Sequence, residues 1–314
     1  MNARVSATRR KNRLAGGSFE IPPEVKWFTN ITNANTRRAY QAAIHDFMSF
    51  TGIARPEQFR SVTRFHVNAW RDDLIARPLG GATVRHRLAA LSALYEYLCD
   101  CNAVAHNPVK SVKRPPVEMR AGKTPALDEG QARSLLNAPV SATVKDMRDR
   151  ALLATLLYHA LRRDELCRLM VNAYRHQRRG VPHLKVSGKG GKTRYLPLHP
   201  MAGELIDKYL EAAGHVDDEA GALFRPLHNA RDPLSPKALT PDAVYKIVRG
   251  YAVKLGLNIG AHALRATAAA NALNHQADIA RVQEWLGHAN IATTRIYDRR
   301  STKLEDSPTF KVAY

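Results

Sequence analysis

Residues 107–125 show no hydrophobic periodicity, and they divide the chain into two regions that do. Proline and basic residues accumulate in this stretch around a single acidic residue, Glu118. Such a composition is typical of an extended segment rather than of a helix or strand. On both sides, apolar residues recur at the helical spacing of three or four. The 314 residues are therefore expected to fold as two separately packed, mainly helical regions.

The first region has three predicted amphipathic helices, at 33–50, 63–76 and in the segment that follows Gly80-Gly81. The third has the clearest apolar stripe, formed by Val84, Leu88, Leu91, Tyr95 and Leu98. We expect a helical domain over 22–107 and a basic linker over 108–123 that follows a phosphate backbone. Residues 1–21 carry basic residues but almost no acidic ones. They predict a basic flexible arm, with a transit peptide as the alternative.

The second region, 124–314, combines helical patterns with two short β-prone runs, 183–186 and 194–198, on either side of Gly190-Gly191. Runs of this kind around a double glycine predict a β-hairpin. Helices are predicted at 128–136, 146–158, 202–212, 241–255, 263–274 and 278–286. The fold class expected for the whole chain is mainly α with a small β-hairpin or sheet (α+β).

The net charge of +20 predicts a partner with phosphate groups, with nucleic acid first. Three cysteines without metal-ligand spacing exclude a disulfide scaffold or a zinc module. The longest apolar run, 151–160, is too short to span a bilayer, and no secretory signal is visible. We expect a cytoplasmic protein with no membrane association.

Gly191-Lys192-Thr193 looks like the end of a nucleotide-binding phosphate loop. That motif needs a glycine five positions before its second glycine, and the residue there is Val186. The residues that follow predict a strand rather than the helix that the motif requires. ATP binding by this loop is not expected.

Four segments of the second region occur in a characteristic order. They are Ala160-Leu161-Arg162-Arg163-Asp164-Glu165-Leu166, Ser187 to Arg194, His262-Ala263-Leu264-Arg265, and Leu286-Gly287-His288 followed by Thr293-Thr294-Arg295-Ile296-Tyr297. Together they resemble the tyrosine recombinase (phage integrase, Xer-like) family. The resemblance covers nearly the whole chain, because the helical first region is similar to that family's SAM-like core-binding domain.

The resemblance implies a two-domain clamp on double-stranded DNA with the catalytic domain at 124–314. It also implies six active-site residues: Arg162, Lys189, His262, Arg265, His288 and Tyr297. The reaction would be site-specific recombination through a 3′-phosphotyrosyl intermediate, without ATP, metal or other cofactor. The protein would act as a homo-oligomer on DNA, with a tetramer at synapsis.

The chemistry of these residue types agrees with those roles. Arg162 and Arg265 can hold the non-bridging oxygens of a phosphate, because guanidinium groups match phosphate geometry. The phenol of a free tyrosine has a pKa near 10, so the tyrosine at position 297 needs a base or positive charge to become a nucleophile. In the family, His262 would accept or relay its proton, and His288 would donate a hydrogen bond to the phosphate. Lys189 would protonate the leaving 5′ oxygen, with Lys192 as a competitor.

Two positions depart from the family pattern. Ala160 stands where glycine commonly precedes the Leu-Arg pair, and Ala266 stands where a second histidine often follows the arginine. Neither removes a catalytic group. Residues 308–314 are β-prone and carry aromatic side chains. They predict either a frayed end or, by analogy with the family, a tail that docks on a neighbouring protomer.

Two other functions remain open from the sequence. A type IB topoisomerase uses similar chemistry to relax DNA as a monomer, and a catalytically silent DNA-binding protein could keep the fold. The complete set of six residues favours an active enzyme. The basic linker and the tail favour a recombinase over a topoisomerase.

Overall fold

The computed structural model describes residues 22–116, 125–188, 191–227 and 236–298. The chain divides into two compact units, Met1–Met119 and Arg120–Tyr314. The described part of the first unit contains α1 (Pro23–Asn30), α2 (Ala34–Thr51), α3 (Arg64–Ala76), α4 (Gly81–Asp100) and a 3-10 turn at Pro56–Ser61. The helices predicted from periodicity in this region correspond to α2, α3 and α4, whereas α1 was not predicted.

The apolar stripe of α4 forms the centre of the first unit. Each of its five predicted residues is at most 1% exposed, and they pack against Phe47 and Trp70, which are fully buried. Helix α2 begins where the Asn33 side chain accepts hydrogen bonds from two backbone amides, and it ends at Gly52, whose φ is +73°. The prediction of a helical core is confirmed.

The start of the predicted linker, 108–123, belongs to the first unit. Val109 and Val112 are 1% and 6% exposed and pack in the same core as α4. Asn107 fixes this turn, because its side chain donates to the Ser92 carbonyl and accepts from the Val109 amide. The expectation of an extended strap is therefore wrong for these residues. Burial of the two valines holds this segment against the core, although its proline and lysine content is typical of an extended segment.

The described part of the second unit contains eight α-helices and three strands. They are α5 (Glu129–Leu136), α6 (Val144–His159), α7 (Arg163–Cys167), β1 (His176–Arg178), β2 (Val181–Ser187), β3 (Thr193–Pro197), α8 (Pro200–Ala213), α9 (Pro241–Lys254), α10 (Ala261–Asn274), α11 (Ile279–Leu286) and α12 (Ala292–Arg295). The short helices α7 and α12 were not predicted. Both lie beside the candidate site.

The three strands form an antiparallel sheet in the order β1-β2-β3. Leu184 pairs with Leu196 and Ser187 with Thr193, so β2 and β3 make the predicted hairpin. Strand β1 adds an edge that the sequence did not predict. Thr193 begins β3, whereas a nucleotide-binding phosphate loop would be followed by a helix at this point.

Helix α6 is buried almost along its whole length, and it contacts α8 and α10. It ends at Ala160, which adopts a left-handed conformation with φ +51°. Beside this end, a small apolar cluster joins Ala160 to α10, α11 and Tyr297. The cluster brings residues from distant parts of the sequence to one place. Among the described helices, none combines the length and apolarity that crossing a membrane requires.

Candidate active site

Five of the six predicted site residues lie within the described part of the second unit. Arg162 immediately precedes α7, and His262 and Arg265 lie in the first turns of α10. His288 follows Gly287, the left-handed residue that ends α11, and Tyr297 follows α12. The sixth, Lys189, lies outside the described residues.

Arg265 is a buried cation at the centre of this group. Its side chain donates to the Ala160 carbonyl, and Nη2 donates to the Leu286 carbonyl at 2.6 Å. The residue is only 1% exposed. Burial, together with the positive charge of Arg162, lowers its pKa to about 10. These carbonyls explain how a guanidinium is held inside the protein, because a buried charge needs polar partners.

His288 bonds directly to that guanidinium. Its Nε2 lies 3.0 Å from Nη2 of Arg265, and its Nδ1 lies 2.9 Å from Oγ1 of Thr294. Burial and the nearby cations, first Arg265 and then Arg162 and Arg194, lower its pKa to about 4. His288 is therefore neutral at neutral pH.

Tyr297 packs beside His288. The two ring centroids are 6.2 Å apart with an interplanar angle of 28°, and Tyr297 is 6% exposed. Its backbone amide donates to the Thr294 carbonyl at 3.0 Å. The ring is held by the apolar cluster that also contains Ala160 and Leu286. The structure thus brings the predicted nucleophile next to a predicted phosphate ligand.

His262 is exposed at the start of α10, in contrast to its neighbour Arg265. Surrounding atoms remove part of its hydration, and Arg265, Arg162 and Arg163 add positive charge. Both effects lower the pKa of its imidazole below the ordinary value. A neutral, accessible imidazole can accept a proton from a reacting group.

Arg162 is held by Glu165, a residue to which the sequence analysis gave no role. Nη1 of Arg162 donates to Oε1 of Glu165 at 2.8 Å, and the Arg162 amide donates to Oε2 at 2.8 Å. The carboxylate is 3% exposed, whereas the Arg162 side chain is 39% exposed. Glu165 thus orients an arginine that solvent can still reach. Of the capping-box pattern the sequence shows only the glutamate at the third helical position, because the residue before the helix is an arginine rather than serine or threonine.

Arg194 on β3 also binds Glu165. Its Nη1 donates to Oε1 at 2.8 Å, the oxygen that also accepts from Arg162, and its Nη2 donates to Oε2 at 2.9 Å. It also lies against Gly287, where an added Cβ would approach its Nη1 to 3.4 Å. Burial alone would raise the pKa of Glu165, but hydrogen bonds and ion pairs with Arg194 and Arg162 lower it to about 2. No sequence signal distinguished Arg194 from the other arginines.

Lys192, the competitor of Lys189, is exposed in the turn between β2 and β3. Its carbonyl accepts a hydrogen bond from the Gly188 amide at 2.7 Å, which fixes the backbone at this point. Within the ranges that the structure describes, no three His, Cys, Asp or Glu side chains form a group that could hold a metal ion.

Both regions of the chain match known protein families. Residues 125–303 match the phage integrase family, and residues 31–101 match the N-terminal SAM-like domain of phage integrases. Tyrosine recombinase XerC of Herpetosiphon aurantiacus is 31% identical over 268 residues, 84% of each chain. XerC of Escherichia coli O1:K1 is 32% identical over 273 residues, 85% of each chain.

Solved structures share the fold at lower identity. A lambda integrase(75-356) dimer bound to a COC' core site matches with a TM-score of 0.68 and 17% identity, over 90% of this chain and 96% of that one. XerH bound to a palindromic difH substrate, in a post-cleavage complex, matches with a TM-score of 0.64 and 23% identity, over 83% and 75%.

The chain belongs to the phage integrase family. It is a tyrosine recombinase, an enzyme of the class that breaks and rejoins DNA strands.

Proposed function

We propose that Tyr297 carries out site-specific DNA recombination with Arg162, Lys189, His262, Arg265 and His288. The observation that carries the proposal is the environment of Arg265. Its guanidinium is almost fully buried, bonds to His288 and lies in the field of Arg162, and the ring of His288 packs beside the ring of Tyr297. Two cationic arginines, with a histidine as hydrogen-bond donor, can stabilise the charge that develops on a phosphate under attack.

The reaction needs no external energy source, because each step exchanges one phosphodiester for another. The Tyr297 oxygen attacks the scissile phosphorus, and the bond to the 5′ oxygen breaks. A 3′-phosphotyrosyl bond results, and His262 takes or relays the phenolic proton. The 5′ oxygen leaves as a hydroxyl after Lys189 gives it a proton. The 5′-hydroxyl of another strand then attacks the phosphotyrosine and releases Tyr297.

The partner in this proposal is double-stranded DNA, bound by a homo-oligomer that becomes a tetramer at synapsis. The net charge of +20 favours binding to phosphates. A related lambda integrase is described as a tetramer bound to a Holliday junction, with a TM-score of 0.67 and 17% identity to this chain. The helical domain 22–107 would bind core DNA, and 124–314 would carry the chemistry. The proposed location is the cytoplasm, on the nucleoid when bound to DNA.

A topoisomerase or a silent DNA-binding protein would use the same fold. The relatives reported above are recombinases and an integrase, which supports recombination rather than relaxation. The side chains at all five described site positions can also perform the proposed chemistry. The experiment below distinguishes these alternatives.

The test starts from a library of duplexes with randomised sequence, from which covalent adducts of the wild-type protein are trapped and sequenced. A nicked duplex that carries the selected site then serves as substrate. Tyr297→Phe should bind this duplex with unchanged affinity and form no adduct on a denaturing gel. Tyr195→Phe, which removes a hydroxyl from β3, should form the adduct like wild type.

Two results would reject the proposal. One is an adduct formed by Tyr297→Phe, which would assign the nucleophile elsewhere. The other is the absence of any adduct from wild type on the library, as expected for a silent DNA-binding protein. Relaxation of supercoiled DNA without exchange between two selected sites would instead favour the topoisomerase. Wild-type cleavage should persist in the presence of a chelator.

A further inference from the structure

Thr294 is a buried polar residue without a role in the mechanism described so far. It lies on α12, three residues before Tyr297, and is fully buried. Its Oγ1 lies 2.9 Å from Nδ1 of His288. Thr293, directly before it, is exposed. A hydroxyl that is withdrawn from water at this point needs a hydrogen-bond partner, and His288 supplies one.

The bond to Arg265 determines where His288 carries its proton. A guanidinium has donors but no acceptor, so Nε2 of His288 must accept from Nη2 of Arg265. A neutral imidazole that accepts at Nε2 carries its proton on Nδ1. Nδ1 therefore donates to Thr294 in the protein without DNA.

The proposed function asks for the opposite arrangement. To donate a hydrogen bond to the scissile phosphate, Nε2 must carry the proton, and Nδ1 then becomes an acceptor. An aliphatic side chain at position 294 could form a hydrogen bond with neither tautomer of His288. A hydroxyl can bond to both, because it accepts through its lone pairs and donates through its O–H.

We propose that Thr294 is a positioning residue that holds His288 in both tautomers, so that Nε2 accepts from Arg265 without DNA and donates to the phosphate in the complex. This inference rests on the proposed function. On DNA binding, Nδ1 gives its proton to water and Nε2 takes one from water, so the ring stays neutral. The Thr294 hydroxyl turns from acceptor to donor in the same step.

Substitutions at position 294 separate the hydroxyl from the methyl group. Thr294→Val keeps the shape and removes the hydrogen bond, whereas Thr294→Ser keeps the hydroxyl and removes the methyl. We expect Thr294→Val to lower the single-turnover cleavage rate roughly tenfold to a hundredfold, the range for removal of the outer-shell partner of a metal-bound histidine. Its affinity for the selected duplex should stay the same. Thr294→Ser should recover most of the rate, and Thr293→Val should match wild type.

The tautomers can be observed directly by NMR of protein labelled with ¹⁵N in histidine, with the His288 signals assigned by their loss in His288→Gln. The free protein should show a proton on Nδ1. The complex of Tyr297→Phe with the selected duplex should show it on Nε2. The same tautomer in both states, or a doubly protonated ring in the complex, would overturn the proposal.

The kinetic outcomes are equally decisive. If packing were the role of Thr294, the serine variant would be the slower of the two, and the proposal would be wrong. A single-turnover cleavage rate of Thr294→Val equal to that of wild type would also overturn the proposal. The absence of an adduct from both wild type and Thr293→Val would reject the proposed function itself, which is a different result.

Discussion

Glu165 and Arg194 form a two-bond ion pair inside the second unit, although 29 residues separate them in the sequence. The carboxylate also accepts from Arg162, so one buried acid links the hairpin strand β3 to a proposed phosphate ligand. Arg194 in turn lies against Gly287, next to His288. The pair therefore connects three segments that a phosphate would need in fixed positions.

We expect Arg194→Met to destabilise the protein, because Glu165 would keep only Arg162 as a partner. Removal of one member of a buried ion pair costs up to about 3 kcal/mol of the free energy of unfolding when the remaining charge keeps another partner. Urea denaturation at neutral pH measures this difference. Arg175→Met is the matched control, since its ion pair with Asp207 lies at the surface. The control should lose less than about 1 kcal/mol.

The pH dependence of that difference has a definite sign. In the folded protein the pKa of Glu165 is lowered from 4.5 to about 2. The stability from this ion pair is therefore fully present above pH 4.5 and is lost as the pH falls towards 2. The gap between wild type and Arg194→Met should narrow over this range. A constant gap would mean that Arg194 contributes through packing rather than through its charge.

His159, at the end of α6, should cause a second pH dependence of the folding stability. It is 1% exposed, and its Nε2 accepts from the His199 amide at 3.0 Å. Burial lowers its pKa from 6.5 to about 4. The unfolded chain therefore binds a proton that the folded protein does not, and stability falls as the pH drops from 6.5 to 4.

The size of this effect is on the order of 3 kcal/mol for one histidine. Unfolding free energies of wild type and His159→Gln, measured by urea from pH 8 down to the acid range, should approach each other as the pH falls. His288 contributes in the same direction, because burial and neighbouring cations lower its pKa too. An equal slope in both proteins would show that His159 does not couple to folding.

Local periodicity predicted much of the fold, but the links between site residues are not local. The α4 stripe could be predicted because neighbours three or four apart define one helical face. In contrast, the Ala160 carbonyl accepts from Arg265, 105 residues away in the sequence. No pattern in the chain reports such a bond. The same holds for Glu165 with Arg194 and for Val109 in the first core.

The structure explains the physical consequence of having alanine rather than glycine at position 160. Its φ of +51° lies in the left-handed region, which glycine occupies without the steric cost that a Cβ brings. A glycine at this position would avoid that cost. The methyl group here packs in the cluster with Ala266, Leu286 and Tyr297, and this burial offsets part of the cost.

The general acid can be assigned between Lys189 and Lys192 by changing the leaving atom. A substrate with sulfur in place of the 5′ bridging oxygen needs no protonation, because sulfur is the better leaving atom. Lys189→Ala should cleave the ordinary duplex roughly a hundredfold more slowly or worse, and the sulfur substrate should restore its rate. Lys192→Ala should show no such difference between the ordinary and the sulfur substrate. Rescue of Lys192→Ala but not of Lys189→Ala would give Lys192 the role.

The C-terminal tail, residues 299–314, leads to a prediction about contacts between protomers. Residues 299–314 lie outside the described residues, and their sequence includes Phe310, Val312 and Tyr314, which gain by leaving water. The second unit offers a groove of about 520 Å³ between α5, α10 and α11. Its apolar lining comprises Leu127, Ala132, Leu136, Leu157, Ala268, Ala272 and Trp285. We expect the tail of one protomer to occupy this groove on its neighbour.

Deletion of 307–314 should then leave binding to a half-site unchanged and weaken cooperative loading of the second protomer on a full site. Ala132→Asp, which places a carboxylate among the apolar lining residues, should have the same effect, because the partner's tail would lose apolar contact there. The salt dependence of half-site affinity should not change, since the deletion removes only one cation, Lys311. Gel-shift titrations on half and full sites measure all three quantities. Full cooperativity in the deleted protein would mean that protomers contact each other through another surface.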